Sequence, residues 1–220
     1  MHAPAQHKNA LKFLCYLRDK HKTNKTIFLG DLIDGHAFAT KWAPNADMPS
    51  AGDELRQAIK ALKPFYKEFP KADLTLGNHE MRMWIKFRVA GAPAAILRRF
   101  QEILEMPEGW TVHEHGFEFE KIYFWHGEGV SATNWRDAHH KLKMSCCFGH
   151  WHSKPGVAFS QTRWSKNHKS LLWSAQSGCL INPKHPYFDY GSKMIEKPVI
   201  GTTVIIDDVP YFEPMPAKWL

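Results

Sequence analysis

The stretch Leu74-Thr75-Leu76-Gly77-Asn78-His79-Glu80 decides how this chain is read. A short apolar run, of the kind that forms a buried strand, ends abruptly in a glycine, an amide, an imidazole and a carboxylate. In open α/β sheets ligands bind beyond the carboxyl ends of the strands, so a strand ending this way delivers oxygen and nitrogen donors to that edge. The glycine lets the backbone turn sharply and keeps a side chain out of the site.

Three more apolar runs end in the same manner. Thr26–Leu29 leads into Gly30-Asp31, Ile122–Trp125 into His126-Gly127, and Ser145–Phe148 into Gly149-His150-Trp151-His152. Residues two apart share a face of an extended segment, so His150 and His152 point together while Trp151 points away. Carboxylate, amide oxygen and imidazole without thiolate suit Zn, Mn or Fe in an open catalytic site better than a closed structural zinc site. Cys146 and Cys147 are adjacent, fall on opposite faces of a strand and do not form a zinc knuckle. Any one of these histidines could be an ordinary surface or capping residue. Four matched strand ends are a pattern of a different order.

Outward from these motifs, the apolar runs alternate with helices. A first helix is expected over about His7 to His21, and a second through Leu55, Ala58, Ile59, Leu62, Phe65, Tyr66 and Phe69 at i, i+3, i+4 spacing. Glu80 to Glu105 reads as two helices interrupted around Gly91 and Pro93, and Asn134 to Lys143 as a shorter one. The four runs then read as parallel strands of an α/β sheet. After Pro155, Ser170–Ala175 and Val199–Asp207 read as strands of a second sheet on the same core. No linker interrupts the 220 residues, which are expected to form one domain. His139 and His140 are expected on a helix surface.

Composition narrows the class. With 44% hydrophobic and 23% charged residues the chain is globular, and at this length it buries roughly 70% of its unfolded surface without a disulfide or zinc staple. No apolar run approaches the ~20 residues a spanning helix needs, and no signal-peptide pattern opens the chain, so a cytoplasmic protein with no membrane partner is expected. The cysteines Cys15, Cys146, Cys147 and Cys179 show no framework spacing and read as free thiols. A net charge of +7 favours anionic partners, phosphate esters or nucleic acid.

Taken in order, Gly30-Asp31-x-x-Asp34, Gly77-Asn78-His79-Glu80, His126-Gly127 and Gly149-His150-x-His152 resemble the calcineurin-like metallophosphoesterase superfamily, with similarity to its bacteriophage and bacterial members. The resemblance implies an α/β fold, a two-sheet β-sandwich flanked by helices. It implies hydrolysis of a phosphomonoester or phosphodiester at two divalent ions of the Mn, Zn, Fe or Ni kind. On the matching positions, Asp31 would bridge both ions, Asn78, His126 and His150 would complete one site, and His2 and His152 would belong to the other. His79 would protonate the leaving group or stabilise the transition state, Asp34 would orient a histidine, and Arg82 would contact substrate.

The chain also departs from the pattern. The superfamily's first motif is Asp-x-His at the end of a first strand, whereas Met1-His2 supplies only the x-His. The domain is therefore expected to be truncated at its N-terminus relative to the family, with a weaker second metal site. Phosphoprotein phosphatases of the superfamily carry arginine where Gly35 and Leu76 stand, which speaks against that branch. The basic residues Arg82, Lys86, Arg88, Arg98 and Arg99, interleaved with Trp84, Phe87 and Phe100, suit either a solvated helix or a nucleic-acid contact, so a nuclease shares the chemistry. The alternative from another class is a catalytically weak metal- or nucleic-acid-binding protein that keeps the fold and an incomplete metal site.

Overall fold

In a computed structural model of the chain, residues 1–39, 47–161, 171–191 and 194–220 are described. Helix α1 (Ala10–His21) buries Ala10, Phe13 and Leu17 and places Arg18, Lys20 and His21 in its last turn, where the helix dipole favours cations. Strand β1 (Ile27–Phe28) precedes α2 (Ala51–Glu68). The Ser50 hydroxyl caps α2 by accepting the Asp53 N–H at 3.2 Å. Ala58, Leu62, Phe65 and Tyr66 recur on its inner face and are buried. Then come β2 (Ala72–Thr75), α3 (Asn78–Val89), α4 (Phe100–Ile103), β3 (Trp110–His113), β4 (Phe117–Phe119) and β5 (Ile122–Trp125). The remainder is α5 (Ala138–Leu142), β6 (Ser145–Phe148), β7 (Gly156–Gln161), β8 (Leu171–Gln176), β9 (Gly201–Ile206) and β10 (Val209–Pro214).

The strands form a parallel sheet β1-β2-β3, a mixed sheet β4-β5-β6-β8-β7 and a β9–β10 hairpin. Phe28 pairs with Leu74 in the first, and Phe124 with Cys147 in the second. A shared cluster of Ile27, Leu29, Ile122, Phe124, Cys147, Trp173, Ala175 and Ile205 packs β1 against the mixed sheet and β9. The fold is thus α/β with several sheets and surrounding helices, as expected.

Its sheet partition corrects the expectation of four strands in one sheet. β1 and β2 pair with each other, and β5 and β6 with each other, in separate sheets. Apolar runs buried on both faces look alike in sequence, and only the long-range partner decides the pairing. The expected second sheet in the tail also divides. Leu171–Gln176 joins β6 in parallel, whereas Gly201–Ile206 folds onto β10, and Ser170 lies outside the described residues. Strands β3, β4, β7 and β10 lie outside the expected set. His139 is not a surface residue either: it is 2% exposed, with Nδ1 2.7 Å from the Ser174 hydroxyl and Nε2 2.6 Å from that of Ser160.

Candidate metal centre

Asn78 and His79 open helix α3, and Glu80 closes its first turn around them. The buried Glu80 carboxylate accepts the N–H groups of Gly77 at 2.8 Å, Asp31 at 2.9 Å and Ile33 at 3.0 Å. The first is the reach-back of an N3 glutamate to the cap residue. The other two stitch the loop after β1 to the start of α3, so one side chain sets the spacing between Asp31 and Asn78. Burial, then the neighbouring Asp31, pushes Glu80 up to about 7, against the pull of the N–H donors.

The loops meet too closely for side chains at the glycines. A Cβ on Gly30, whose φ is +78°, would lie 2.5 Å from His126 Nδ1, and one on Gly77 would fall on the Asp31 carboxylate. His2, Asp31 and His150 themselves sit at φ 61°, 49° and 72°. Left-handed backbone at three non-glycine residues stores strain, which persists only where surrounding bonds over-determine it.

The side chains form one continuous network. Asp31 Oδ2 lies 3.3 Å from His126 Nε2 and 3.5 Å from His2 Nε2. His126 Nε2 is 3.1 Å from Asn78 Oδ1 and 3.0 Å from His150 Nδ1. On the other side, His2 Nε2 is 3.1 Å from His152 Nε2, and His2 Nδ1 is 3.0 Å from Asp34 Oδ2. His79 Nδ1 donates to the Asp34 carbonyl at 2.6 Å, and its backbone N–H donates to Asp31 Oδ1 at 3.1 Å. Arg82 donates to the same Asp34 carbonyl at 3.1 Å and to His79 Nε2 at 2.9 Å. Three donor sets, Asp31/His126/His150, His2/Asp31/His152 and His2/Asp34/His79, each gather within 4.8 Å.

The donor chemistry fits divalent cations. A carbonyl can only accept, so the 2.7 Å contact from His126 Nδ1 to the Leu29 carbonyl puts the proton on Nδ1. Nε2 is the nitrogen left to face Asn78 Oδ1 and Asp31 Oδ2, and as a metal ligand it would offer them no proton but its lone pair to the cation. His2 repeats the arrangement, with Nδ1 on Asp34 and Nε2 turned toward Asp31 and His152. Such convergence of acceptors is repulsive unless positive charge sits among them, supplied by a proton on His126 Nε2 or, in that proton's place, by a cation. Protonation follows the same field. Burial alone would lower His126, yet the Asp31 charge and hydrogen bond hold it up at about 9. Burial raises and the histidines lower Asp31, which ends well below the usual carboxylate range. Burial brings His152 down to about 3 and His79 to about 4, against the pull of Asp31, and lifts Asp34 to about 7 against Arg82.

All nine residues named from the sequence stand in this network. The calcineurin-like phosphoesterase family model matches residues 1–201. The chain belongs to that family. A search of the curated proteins finds no match. Metal-dependent phosphoester hydrolysis is the activity this family carries. No helix among the described residues is long and apolar enough to cross a membrane.

Two residues of the site escaped the sequence reading. Glu80 belongs to the Gly77–Glu80 motif, but the motif does not reveal its role as an acceptor of three N–H groups. Gln176, at the end of β8, donates from Nε2 to the carbonyls of Gly149 at 2.8 Å and Trp151 at 2.6 Å, while its Oε1 accepts the Gly178 N–H at 2.9 Å. It thereby clamps the turn that carries His150 and His152. No local signal marks a glutamine for this; only the adjacency of β8 to β6 does.

Proposed function

We propose that this chain hydrolyses a phosphate ester at two divalent cations that share Asp31. The observation that carries the reading is the Asp31 carboxylate, one oxygen of which stands 3.3 Å from His126 Nε2 and 3.5 Å from His2 Nε2, between two sets of lone pairs. Asn78, His126 and His150 would complete one site, and His2 and His152 the other. Cations held there would polarise phosphoryl oxygens and supply a water nucleophile at neutral pH. The absence of thiolates favours Mn, Zn, Fe or Ni.

The chain's own groups do the rest. Asp34 orients the His2 ring through Nδ1. Arg82 presents the guanidinium charge beside His79, where a phosphoryl oxygen can exchange for the imidazole nitrogen as its partner. His79 then faces the ester with Nε2, which, once it has taken up a proton from water while Nδ1 stays on the Asp34 carbonyl, would pass that proton to the leaving oxygen or stabilise its charge. Metal analysis after dialysis, paired with p-nitrophenyl phosphate and bis(p-nitrophenyl) phosphate assays with and without chelator, tests this. The expected result is one tightly held ion, a second bound weakly, and activity that chelator removes and added Mn or Zn restores. Turnover untouched by chelator would sink the reading.

We further propose that the complete domain has a strand before Met1. The N–H groups of His2 and Ala3 donate to the Asp31 and Leu32 carbonyls at 2.7 and 2.8 Å, and Ala3 bridges Ile33 in parallel. Chain leading into Met1 would continue that ladder alongside β1. There a cavity of about 820 Å³, lined by Ile27, Leu29, Phe124 and Ile205, opens between β1 and β9. Such a strand would fix His2 and could carry a further ligand on the same face. Matched proteins with and without it, compared for second-ion affinity, test the proposal; equal affinity would overturn it.

A further inference from the structure

Beyond the metal centre, the second half of α3 is unusual. Between Glu80 and Glu102 the chain has five cations, Arg82, Lys86, Arg88, Arg98 and Arg99, and no acidic residue. Within that span the nine residues from Val89 to Leu97 (Val-Ala-Gly-Ala-Pro-Ala-Ala-Ile-Leu) carry no polar side chain. Every residue from Ile85 to Gly91 is exposed, Ile85 and Phe87 least and Val89 most among the large apolar ones, so the end of the helix stands out from the core. Val89 is 82% exposed and Ile96 66%. Among the described side chains of this run Val89, Ala90, Pro93, Ala95 and Ile96 are exposed while Ala92 and Leu97 are half-buried, and a run of exposed apolar residues marks an interaction surface.

We propose that this projection docks on an anionic lipid surface, with Val89–Leu97 entering the boundary between headgroups and acyl chains. Lys86, Arg88, Arg98 and Arg99 would meet lipid phosphates on either side. Surface attachment of this kind needs apolar area and basic flanks, not a spanning helix, and so is compatible with the lack of one. Arg98 has only a loose 3.5 Å contact with Glu102, and both residues are exposed. Nucleic acid fits less well. A strand-binding platform wants successive exposed aromatic faces, but Trp84 packs on Phe100 with ring centroids 4.6 Å apart, leaving Phe87, 40% exposed. A second copy of the chain would bring two cationic projections together. The apolar run begins about 16 Å along α3 from Asn78, so a docked projection leaves the metal centre facing the aqueous headgroup side. The inference stands apart from the hydrolysis reading, since its readout is partitioning.

The test is co-sedimentation of the full chain with vesicles of phosphatidylcholine alone or mixed with phosphatidylserine, at low and high salt. Binding is expected only with phosphatidylserine, and raised salt should reverse it. Arg98→Gln/Arg99→Gln should weaken partitioning about 30-fold, and Val89→Ser/Ile96→Ser at least ~10-fold, with the circular dichroism spectrum and melting temperature unchanged. No binding to the anionic vesicles, or binding that both double variants leave intact, overturns the proposal. So does tight binding to an oligonucleotide that only the arginine variant weakens, or a dimer that only the Val89/Ile96 variant dissolves.

Discussion

The two halves of the donor cluster share Asp31 and differ in what holds them. Asn78 begins a helix, His126 is pinned through Nδ1 to the Leu29 carbonyl at 2.7 Å, and the turn of His150 hangs on Gln176. Glu80 ties the start of α3, which carries Asn78, to the loop after β1, which carries Asp31, with three N–H bonds. His2, by contrast, takes its ring orientation from Asp34, and its segment is held by the Asp31 and Leu32 carbonyls, which accept the N–H groups of His2 and Ala3. Identical imidazole chemistry is thus preorganised on one side and lightly supported on the other. Preorganised ligands lose less entropy on binding a cation, so the first half should bind more tightly than its ligand count alone implies.

Removing the shared residue breaks both halves together. Asp31→Ala is expected to lower phosphoesterase activity by ~10⁴-fold or more, which corresponds to about 5.4 kcal/mol of lost transition-state stabilisation. It should also release both ions, as read by metal analysis. Retention of one tightly held ion would mean that the halves do not share Asp31, and the comparison would have to be redrawn.

His79 touches both halves without being assigned to either. His79→Ala should keep its metal and lose ~10²–10⁴-fold in rate, the scale of a lost proton-transfer group or transition-state donor. The loss should shrink with a good leaving group, which needs less help from a proton. Loss of metal on substitution would instead place His79 among the ligands, as its membership of the His2/Asp34/His79 set allows.

The proposed ligands other than His2 are visible in sequence because each follows its strand by one to four residues, with a glycine close by. The braces are not. Glu80 accepts from Asp31, 49 residues away, and Gln176 clamps carbonyls 25 and 27 residues away, so their roles exist only once the strands are adjacent. The helices emerged because periodicity is local, as in Leu62 and Phe65 of α2. β3 is half-buried at a sheet edge and lacks the continuous apolar signature of an inner strand.

Gln176→Ala sharpens the comparison by loosening the turn that brings His150 to the braced side and His152 to the other. Without its side chain, the carbonyls of Gly149 and Trp151 lose their common donor and the His150–His152 turn gains freedom. Support of this kind usually contributes 10–100-fold in metal affinity, and a weakening of ~10–100-fold at the tight site is expected by competition with a chelator of known affinity. An unchanged tight site would show that strand pairing alone orders the turn.

The smallest effect is expected furthest from the ions, at His139. This buried ring joins Ser160 of β7 to Ser174 of β8, two residues before Gln176, so it anchors the strand from which the brace reaches. Burial, with His140 beside it, lowers its pKa below the usual 6.5. The unfolded chain therefore takes up this proton more readily than the folded one. Its contribution to stability is fully present above about pH 6.5 and is lost as the pH falls below that value. With saturating metal to keep the ligand histidines occupied, the melting temperature of the wild type should fall more steeply on acidification than that of His139→Gln, whose amide does not titrate. The slope contributed by one such group cannot exceed about 1.4 kcal/mol per pH unit, so differential melting across matched buffers is the measurement required. Parallel slopes would remove His139 from the account of acid sensitivity. A change in tight-site metal affinity comparable to that of Gln176→Ala would show that the brace is tensioned from β7 and not from β8 alone.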